Sequence, residues 1–344
     1  MPLISELLCR DFRNFEKRTF NFECADVVFH GPNGSGKSNV LEAIGYLSTL
    51  RSFRRAPVRD MIRIGSNDFE ISCKLELKRR AFSIAVRENS TNRRELFHAG
   101  FPCSKVSDFV FSYRCVSFSP ADFYIGSGPA GTRRKFFDQM ISSVDSSCMR
   151  LLSQYVRALN QRNRAAKIKN TPAMKAFESV MAENAPAIVA MREDMIKRVE
   201  SEIRTLLNGK YDFAIRYKPD CTGNQEDFMR RFSLMRNREL ARGCSLCGVQ
   251  LDEIDFLLNG KSLRTFGSTG QIRLITLLAR LAEFTILRRS PEPVAILADD
   301  VTGELDDSNK ELFFKMISTA DMRFHTYANQ IKESRLINAQ FIRI

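Results

Sequence analysis

Only three histidines occur in the 344 residues, and no second cysteine pair stands at a spacing that could join Cys244 and Cys247. A four-ligand zinc site is therefore not expected, and Cys244-Ser245-Leu246-Cys247 reads instead as a half-buried strand. The nine cysteines are odd in number and scattered from Cys9 to Cys247, which argues against a disulfide framework and for reduced thiols. Met1 to Arg10 shows no basic segment leading into an apolar core. The most apolar late stretch, Ile272 to Leu287, is broken by Arg273, Arg280 and Glu283. Neither export nor a membrane span is expected, and a cytoplasmic setting follows. The sequence also lacks internal repeats and low-complexity tracts, which removes repeat architectures from consideration.

What is present is an ordinary globular balance, 44% hydrophobic and 27% charged, in a chain long enough for two domains or for one large domain with an insertion. Against 40 acidic residues stand 53 Lys and Arg, a net charge of +13 with a sequence pI near 9.5. That surplus favours polyanionic partners, nucleic acid before an anionic membrane, with a merely basic enzyme as the alternative.

The order of patterns points to an α/β fold. Leu3 to Phe22 alternates loosely and suits edge strands. Asp26 to His30 is a short β-branched and aromatic run ending at a glycine loop, and Val40, Leu41, Ile44 and Leu47 follow at helical spacing. Asp68 to Val86 reads as a hairpin turning at Lys78-Arg79-Arg80, an antiparallel patch beside the main sheet. From Arg133 to Leu207 the pattern is helical and Gly209 closes it. Strands are expected again at Tyr211 to Tyr217 and at Ile254 to Leu258, before an Asn259-Gly260 turn. The last third alternates: helix at Gln271 to Leu287, strand at Val294 to Ala298, helix at Ser308 to Thr319, strand at Met322 to Thr326. This predicts a mixed parallel sheet built from residues 1–128 and 210–344, with a helical domain over 129–209 between them.

Four short segments carry chemistry. Gly31-Pro32-Asn33-Gly34-Ser35-Gly36-Lys37-Ser38, between a strand and a helix, has the form of a phosphate loop. Its backbone N–H groups and helix N-terminus would cradle the triphosphate of ATP, Lys37 would reach the β and γ phosphates, and the Ser38 hydroxyl would ligate Mg²⁺. Val294 to Ala298 ends in Asp299 and Asp300: the first is assigned to the metal, the second to the attacking water. Phe266-Gly267-Ser268-Thr269-Gly270-Gln271 opens a helix and offers a second anion-binding end, although an ordinary helix cap would look the same. Gly303-Glu304-Leu305-Asp306 lies just beyond the acid pair.

Together these resemble the Walker A, signature, Walker B and D-loops of ABC-type ATPases in their SMC-like branch. The likeness narrows to the RecF family of bacterial recombination mediators through Cys9 to Phe15, Arg51-Ser52-Phe53-Arg54, Phe118-Ser119-Pro120, Gly128-Pro129, Arg133 to Asp138, Gln161-Arg162-Asn163, Arg238-Glu239-Leu240 and Leu258-Asn259-Gly260. It runs over essentially the whole chain, which has no room for a long coiled coil.

The resemblance implies an ATPase head that dimerises around ATP and binds duplex DNA beside single-stranded gaps, acting with RecR and RecO to help RecA load. It implies that Gly31 to Ser38 and Asn39 bind ATP, that Lys37 and Asp300 are catalytic, and that Ser38 and Asp299 serve Mg²⁺. Ser268, Gly270, Gln271 and Asp306 would act at the nucleotide across the dimer. For DNA the candidates are Arg51, Arg54, Arg55, Arg133, Arg134 and Lys135, with the helix bearing Arg157, Arg162, Arg164, Lys167 and Lys169.

The chain departs from the family in three places. Gly248-Val249-Gln250-Leu251-Asp252-Glu253 replaces a Gly-Pro-His-Arg-Asp-Asp run. Phe324-His325-Thr326-Tyr327-Ala328-Asn329 stands where a hydroxyl-rich or histidine switch is expected, so His325 reads as a strand residue. No glutamine stands out after Phe118 as a γ-phosphate sensor. Slow or weakly regulated hydrolysis would follow. A non-hydrolysing DNA-binding scaffold and, further off, a transporter's ATPase subunit are the rival readings.

Overall fold

The computed structural model describes residues 3–77, 80–301, 303, 305–327, 336 and 338–344. They fold as two units, Met1–Asp122 with Glu283–Ile344, and Phe123–Ala282, the boundary falling inside one helix near the C-terminal end of the second.

In the first unit, β1 (Ile4–Phe12) and β2 (Phe15–Asn21) form a hairpin, and β3 (Asp26–His30) leads through the glycine loop into α1 (Lys37–Thr49). After the short α2 (Val58–Met61) come β4 (Asp68–Leu77), β5 (Arg80–Asn89), β6 (Arg94–His98), β7 (Phe101–Pro102), the short α3 (Val106–Val110) and β8 (Arg114–Phe118).

The second unit holds α4 (Phe123–Ser127), α5 (Ala130–Val144), α6 (Ser146–Lys167), α7 (Thr171–Leu207), β9 (Phe213–Lys218), α8 (Gln225–Arg242), β10 (Glu253–Leu258), β11 (Lys261–Ser262) and α9 (Leu263–Phe266). Helix α10 (Thr269–Arg288) spans the boundary, and β12 (Val294–Asp299), α11 (Asp307–Ile317), β13 (Met322–Tyr327) and β14 (Gln340–Arg343) return to the first unit.

Two sheets make the first unit. One is parallel, in the order β14-β3-β13-β12-β8, and the other antiparallel, in the order β2-β1-β4-β5-β6-β7. All six residues of β12 are buried, as expected of a strand covered on both faces. In β4, by contrast, Phe69, Ile71, Cys73 and Leu75 alternate with less buried neighbours, the signature of a strand with one wet face. Helix α1 packs among both sheets: Tyr46 meets Phe69 edge-on, and at Gly45 an added Cβ would come within 3.0 Å of the Leu297 side chain. The glycine thus lets the helix carrying the phosphate loop lie close against β12.

Two expectations change. Only β2 of the first hairpin is an edge strand, because β4 pairs with the other side of β1. Cys244 and Cys247 lie in the loop between α8 and a 3₁₀ turn at Val249–Leu251, not in a strand, with Cys244 exposed and Cys247 buried. The turn expected at Lys78 and Arg79 lies outside the described residues.

The second unit takes in the helical segment together with a small antiparallel sheet, β11-β10-β9. Its longest helix, α7, 37 residues long, buries Met174, Met181, Ala185, Ile188, Met195, Val199 and Ile203 at spacings of three, four or seven, one continuous stripe. Asn259 and Gly260 both have positive φ, 52° and 72°, as a two-residue hairpin turn between β10 and β11 requires. Among the described residues no helix is long and apolar enough to cross a membrane.

Candidate nucleotide-binding site

The loop from Gly31 to Gly36 leaves β3 and enters α1, with Gly36 as its N-cap at φ 114°. Only glycine fits there. Beyond the unfavourable φ, a Cβ at Gly36 would sit 2.7 to 2.9 Å from the Asn14 amide and 2.9 Å from the Phe15 ring. Asn14, at the tip of the β1–β2 hairpin, is therefore the outer wall of the loop. Its Nδ2 donates to the Ser35 carbonyl at 3.0 Å, and its Oδ1 accepts from Asn39 Nδ2 at 2.8 Å.

Arg54 Nη1 donates to Asn39 Oδ1 at 3.0 Å, extending the chain of contacts. Beneath it, buried Glu42 accepts both Arg13 Nε (2.7 Å) and Arg13 Nη2 (2.8 Å), with Ser52 Oγ at 2.5 Å. These contacts fix the first turns of α1 to the segments on either side. Lys37 Nζ folds over the loop and donates to the Gly31 and Pro32 carbonyls at 2.7 and 2.8 Å. Ser35 Oγ is buried with no hydrogen-bond partner among the described residues, a donor inside a loop whose geometry suits an anion.

At the C-terminal end of the parallel sheet, register places Asp299 of β12 beside Thr326 of β13. Asp299 Oδ1 accepts from Ser38 Oγ at 2.7 Å and from Thr326 Oγ1 at 2.9 Å, while the same threonine oxygen accepts the Asp300 N–H at 3.0 Å. Asp299 is 8% exposed; Asp300 turns outward in a left-handed conformation, φ 53°. An all-oxygen pair of hydroxyl and carboxylate next to a phosphate loop fits Mg²⁺, which takes oxygen ligands and keeps several waters. Among the described residues no group of three or more His, Cys, Asp or Glu side chains could form a closed protein cage.

Thr326 belongs to this candidate site although sequence reasoning did not single it out; only the strand register reveals it. Asn14 was missed as well, since nothing in an Arg-Asn pair before a strand announces a contact 21 residues later.

Ser268 and Gln271 form a reciprocal cap on α10: Ser268 N donates to Gln271 Oε1 at 2.8 Å and Gln271 N to Ser268 Oγ at 3.2 Å. Ser268, Thr269 and Gly270 are exposed, all in the second unit. Asp306 caps α11, Oδ1 accepting Asn309 N at 2.8 Å and Oδ2 accepting Asn309 Nδ2 at 2.7 Å. Glu304, Ala328 and Asn329 lie outside the described residues.

The basic residues separate sharply. Arg133 is corrected as a DNA candidate: it is 2% exposed and donates to the carbonyls of Ile254, Ile125 and Gly128, and burial lowers its pKa. Arg134 is half-buried and donates to the Asp252 carbonyl at 2.6 Å, whereas Lys135 is exposed. Arg162 is likewise removed from any DNA track, being fully buried and paired with Glu178 and Glu239. Arg51 and Arg55 are exposed, while Arg54 is engaged beside the phosphate loop.

In the segment that departs from the family run, Gln250 accepts from the Tyr155 hydroxyl at 2.6 Å, and buried Asp252 accepts from Arg192 and Tyr217, both at 2.6 Å. His325 lies in β13, 1% exposed, its ring stacked near Phe314 and Tyr327.

A phosphate loop joined to a buried acid by one serine, on a parallel sheet flanked by an antiparallel one, is the fold of the ATPase heads of the ABC and SMC class. The sequence model of the RecF/RecN/SMC N terminal domain matches residues 3–340. A DNA replication and repair protein RecF of Leptospira biflexa is 30% identical over 332 residues, which covers 94% of this chain and 90% of its own. One from Natranaerobius thermophilus is 28% identical over 333 residues, 90% of this chain and 86% of its own. Among solved structures, the recombination mediator protein RecF-ATP of the RecFOR pathway shares the fold at TM-score 0.86 and 24% identity, over 96% of this chain and 93% of that one. The Smc head domain of Pyrococcus furiosus shares it at TM-score 0.53 and 17% identity, over 100% and 93%. The chain belongs to the RecF family.

Proposed function

We propose that this chain is an ATP-dependent DNA-binding protein of recombinational repair and replication restart, cytoplasmic, whose ATP-bound form is a dimer holding duplex DNA beside a single-stranded gap, where it helps RecA load. The observation that carries the reading is the Ser38–Asp299–Thr326 cluster at the mouth of the phosphate loop, 2.7 and 2.9 Å on its two sides.

In that scheme residues 31 to 36, Pro32 apart, wrap the phosphates with backbone N–H groups, Ser35 Oγ adds a donor, and Lys37 exchanges its two loop carbonyls for phosphate oxygens. Mg²⁺, held by Ser38 and Asp299, would neutralise charge on the β and γ oxygens. Thr326 keeps Asp299 aimed at that position and holds the Asp300 backbone, so that the Asp300 carboxylate can orient or deprotonate the attacking water. Asn39 supports the loop through Asn14. Ser268, Gly270 and Gln271 reach the nucleotide of a second subunit, and Asp306 contributes by setting the start of α11. Contacts made only in the closed state pull the monomer–dimer equilibrium toward the dimer, so ATP acts as a clamp and its hydrolysis as release. RecR, and RecO with it, are the partners that family membership suggests.

Sedimentation velocity with and without Mg-ATP and a gapped duplex tests the scheme. The wild-type protein should pass from monomer to a DNA-bearing dimer on adding ATP, and Lys37→Ala should stay monomeric. A Lys37→Ala protein that still dimerises with ATP would sink it. A second reading, a scaffold that binds DNA without hydrolysis, draws on the burial of His325 within β13 and on the altered Gly248–Glu253 run. Steady-state phosphate release with Asp300→Asn as control separates the two: release that the variant loses supports the ATPase, and none above that control supports the scaffold.

A further inference from the structure

Helices α6 and α8 end side by side. A Cβ on Gly243, the C-cap of α8, would lie 3.3 Å from Lys167 Cγ and 3.6 Å from Lys167 Cα in the last turn of α6, and Leu240 packs on the buried Ala165, Ala166 and Met174. This end of the helical unit gathers Arg164, Lys167, Lys169, Arg238 and Arg242, all exposed and none in an ion pair among the described residues. The carboxylates nearest in the chain are withdrawn. Glu178 and Glu239 are fully buried and neutralised by Arg162, and Glu178 also by Arg236 at 2.6 Å. No acid occurs anywhere from Ser146 to Phe177.

Basic residues in a helix's last turn can serve merely to complement its dipole. That demand is small here: each helix C-terminus carries roughly half a negative charge, two of them about one, and the start of α7 offsets part of it. Five cations therefore leave most of their charge for an external partner. The composition also selects the partner. The neighbouring exposed side chains include Asn160, Gln161, Asn170 and Asn237, amides that donate to phosphate oxygens, beside one large apolar side chain, Ile168, and no aromatic ring. Protein-binding surfaces favour aromatic anchors and are poor in lysine, so a nucleic-acid backbone is the better match.

We infer that the joint end of α6 and α8, through Arg164, Lys167, Lys169, Arg238 and Arg242, is a contact surface for the phosphate backbone of DNA. The inference rests on the DNA-binding reading above and reshapes one of the clusters the sequence offered: Arg164, Lys167 and Lys169 stay, Arg238 and Arg242 of α8 join them, and Arg162 is removed.

The test is fluorescence anisotropy of a fluorescein-labelled 40-base-pair duplex with the full-length protein in Mg-ATP, titrated from low to moderate salt. The triple variant Arg164→Glu, Lys167→Glu, Arg242→Glu is compared with a control of equal charge change on the same unit, Lys197→Glu, Lys210→Glu, Lys218→Glu. Each phosphate contact contributes about 0.9 to the slope of log K against log salt, so the triple variant should lose about 2 to 3 from that slope and bind at least roughly tenfold more weakly. The control should keep the wild-type slope, and binding of a fluorescent ATP analogue should match wild type in both variants.

A glutamine version of the triple change covers the chance that charge reversal harms folding. Wild-type DNA affinity and slope in the folded triple variant, or an equal loss in the control, would overturn the surface while leaving the DNA-binding reading intact. A wild-type protein that binds ATP but no duplex would instead remove the reading itself.

Discussion

At the scale of single residues, two side chains hold consequences that their neighbours in sequence do not announce. Asn14 bonds the Ser35 carbonyl and Asn39, so it holds the phosphate loop from the β1–β2 hairpin. Two net hydrogen bonds are worth on the order of 1 to 2 kcal/mol, so Asn14→Ala should weaken ATP binding about tenfold. Its Tm should fall by only a few degrees in a chain of this size. Nucleotide titration reads this directly, and an unchanged Kd would show that the loop holds its shape alone.

His325 is the other case. Burial, helped by Arg323 and opposed by Asp26, lowers its pKa from 6.5 to about 4, and neither ring nitrogen has a hydrogen-bond partner among the described residues. A histidine with a depressed folded-state pKa leaves the unfolded chain as the better proton binder. Its contribution to stability is thus full above pH 6.5 and is lost progressively as pH falls toward 4, by up to about 3 kcal/mol. Urea unfolding at pH 7.5 and pH 5 should show a smaller pH dependence for His325→Leu than for wild type. Equal dependences would mean that the imidazole is not what senses the acid.

At the scale of elements, what was legible followed from pattern strength. β12 read as an apolar run because a parallel strand is covered on both faces, β3 as a β-branched and aromatic one, β13 from the alternation of strands and helices, and the phosphate loop from its glycine and lysine spacing. β8 was missed: it is five residues long, carries Arg114 and closes an edge of the sheet. α8 was missed because it has almost no apolar stripe; of its 18 residues only Phe228, Phe232 and Glu239 are buried. A capping box of Asn224 with Asp227, the left-handed Gly243 and the buried ion pairs hold it instead. Such pairing across helices cannot be seen in a single-chain pattern, and the same blindness put Arg162 and Arg133 among the surface cations.

The network makes a strong demand. Arg162→Ala would strip Glu239 of its guanidinium and leave Glu178 only Arg236. Removing one partner of a buried pair costs about 3 to 5 kcal/mol, and denaturant unfolding should show a loss of that order. A loss under about 1 kcal/mol would place these carboxylates in contact with water, at variance with their burial.

At the scale of the whole molecule, the proposed dimer requires Ser268 to do two things, and they can be separated chemically. As the N-cap of α10 it needs only an acceptor oxygen, which aspartate supplies equally well; as a ligand to another subunit's phosphate it must not be negative. Ser268→Asp should therefore keep wild-type thermal stability yet remain monomeric in Mg-ATP. A two-fold dimer built head to tail makes a further demand. Pairing a Lys37→Ala subunit with a Ser268→Asp subunit leaves one composite site doubly damaged and the other intact. Neither variant pairs with itself, so every dimer in an equimolar mixture is mixed and half its sites are whole; the mixture should recover phosphate release, up to about half that of wild type. Each variant alone should show almost none. No recovery on mixing, with both proteins folded, would mean that Ser268 acts within its own subunit, and the signature segment would then be no more than the start of a helix.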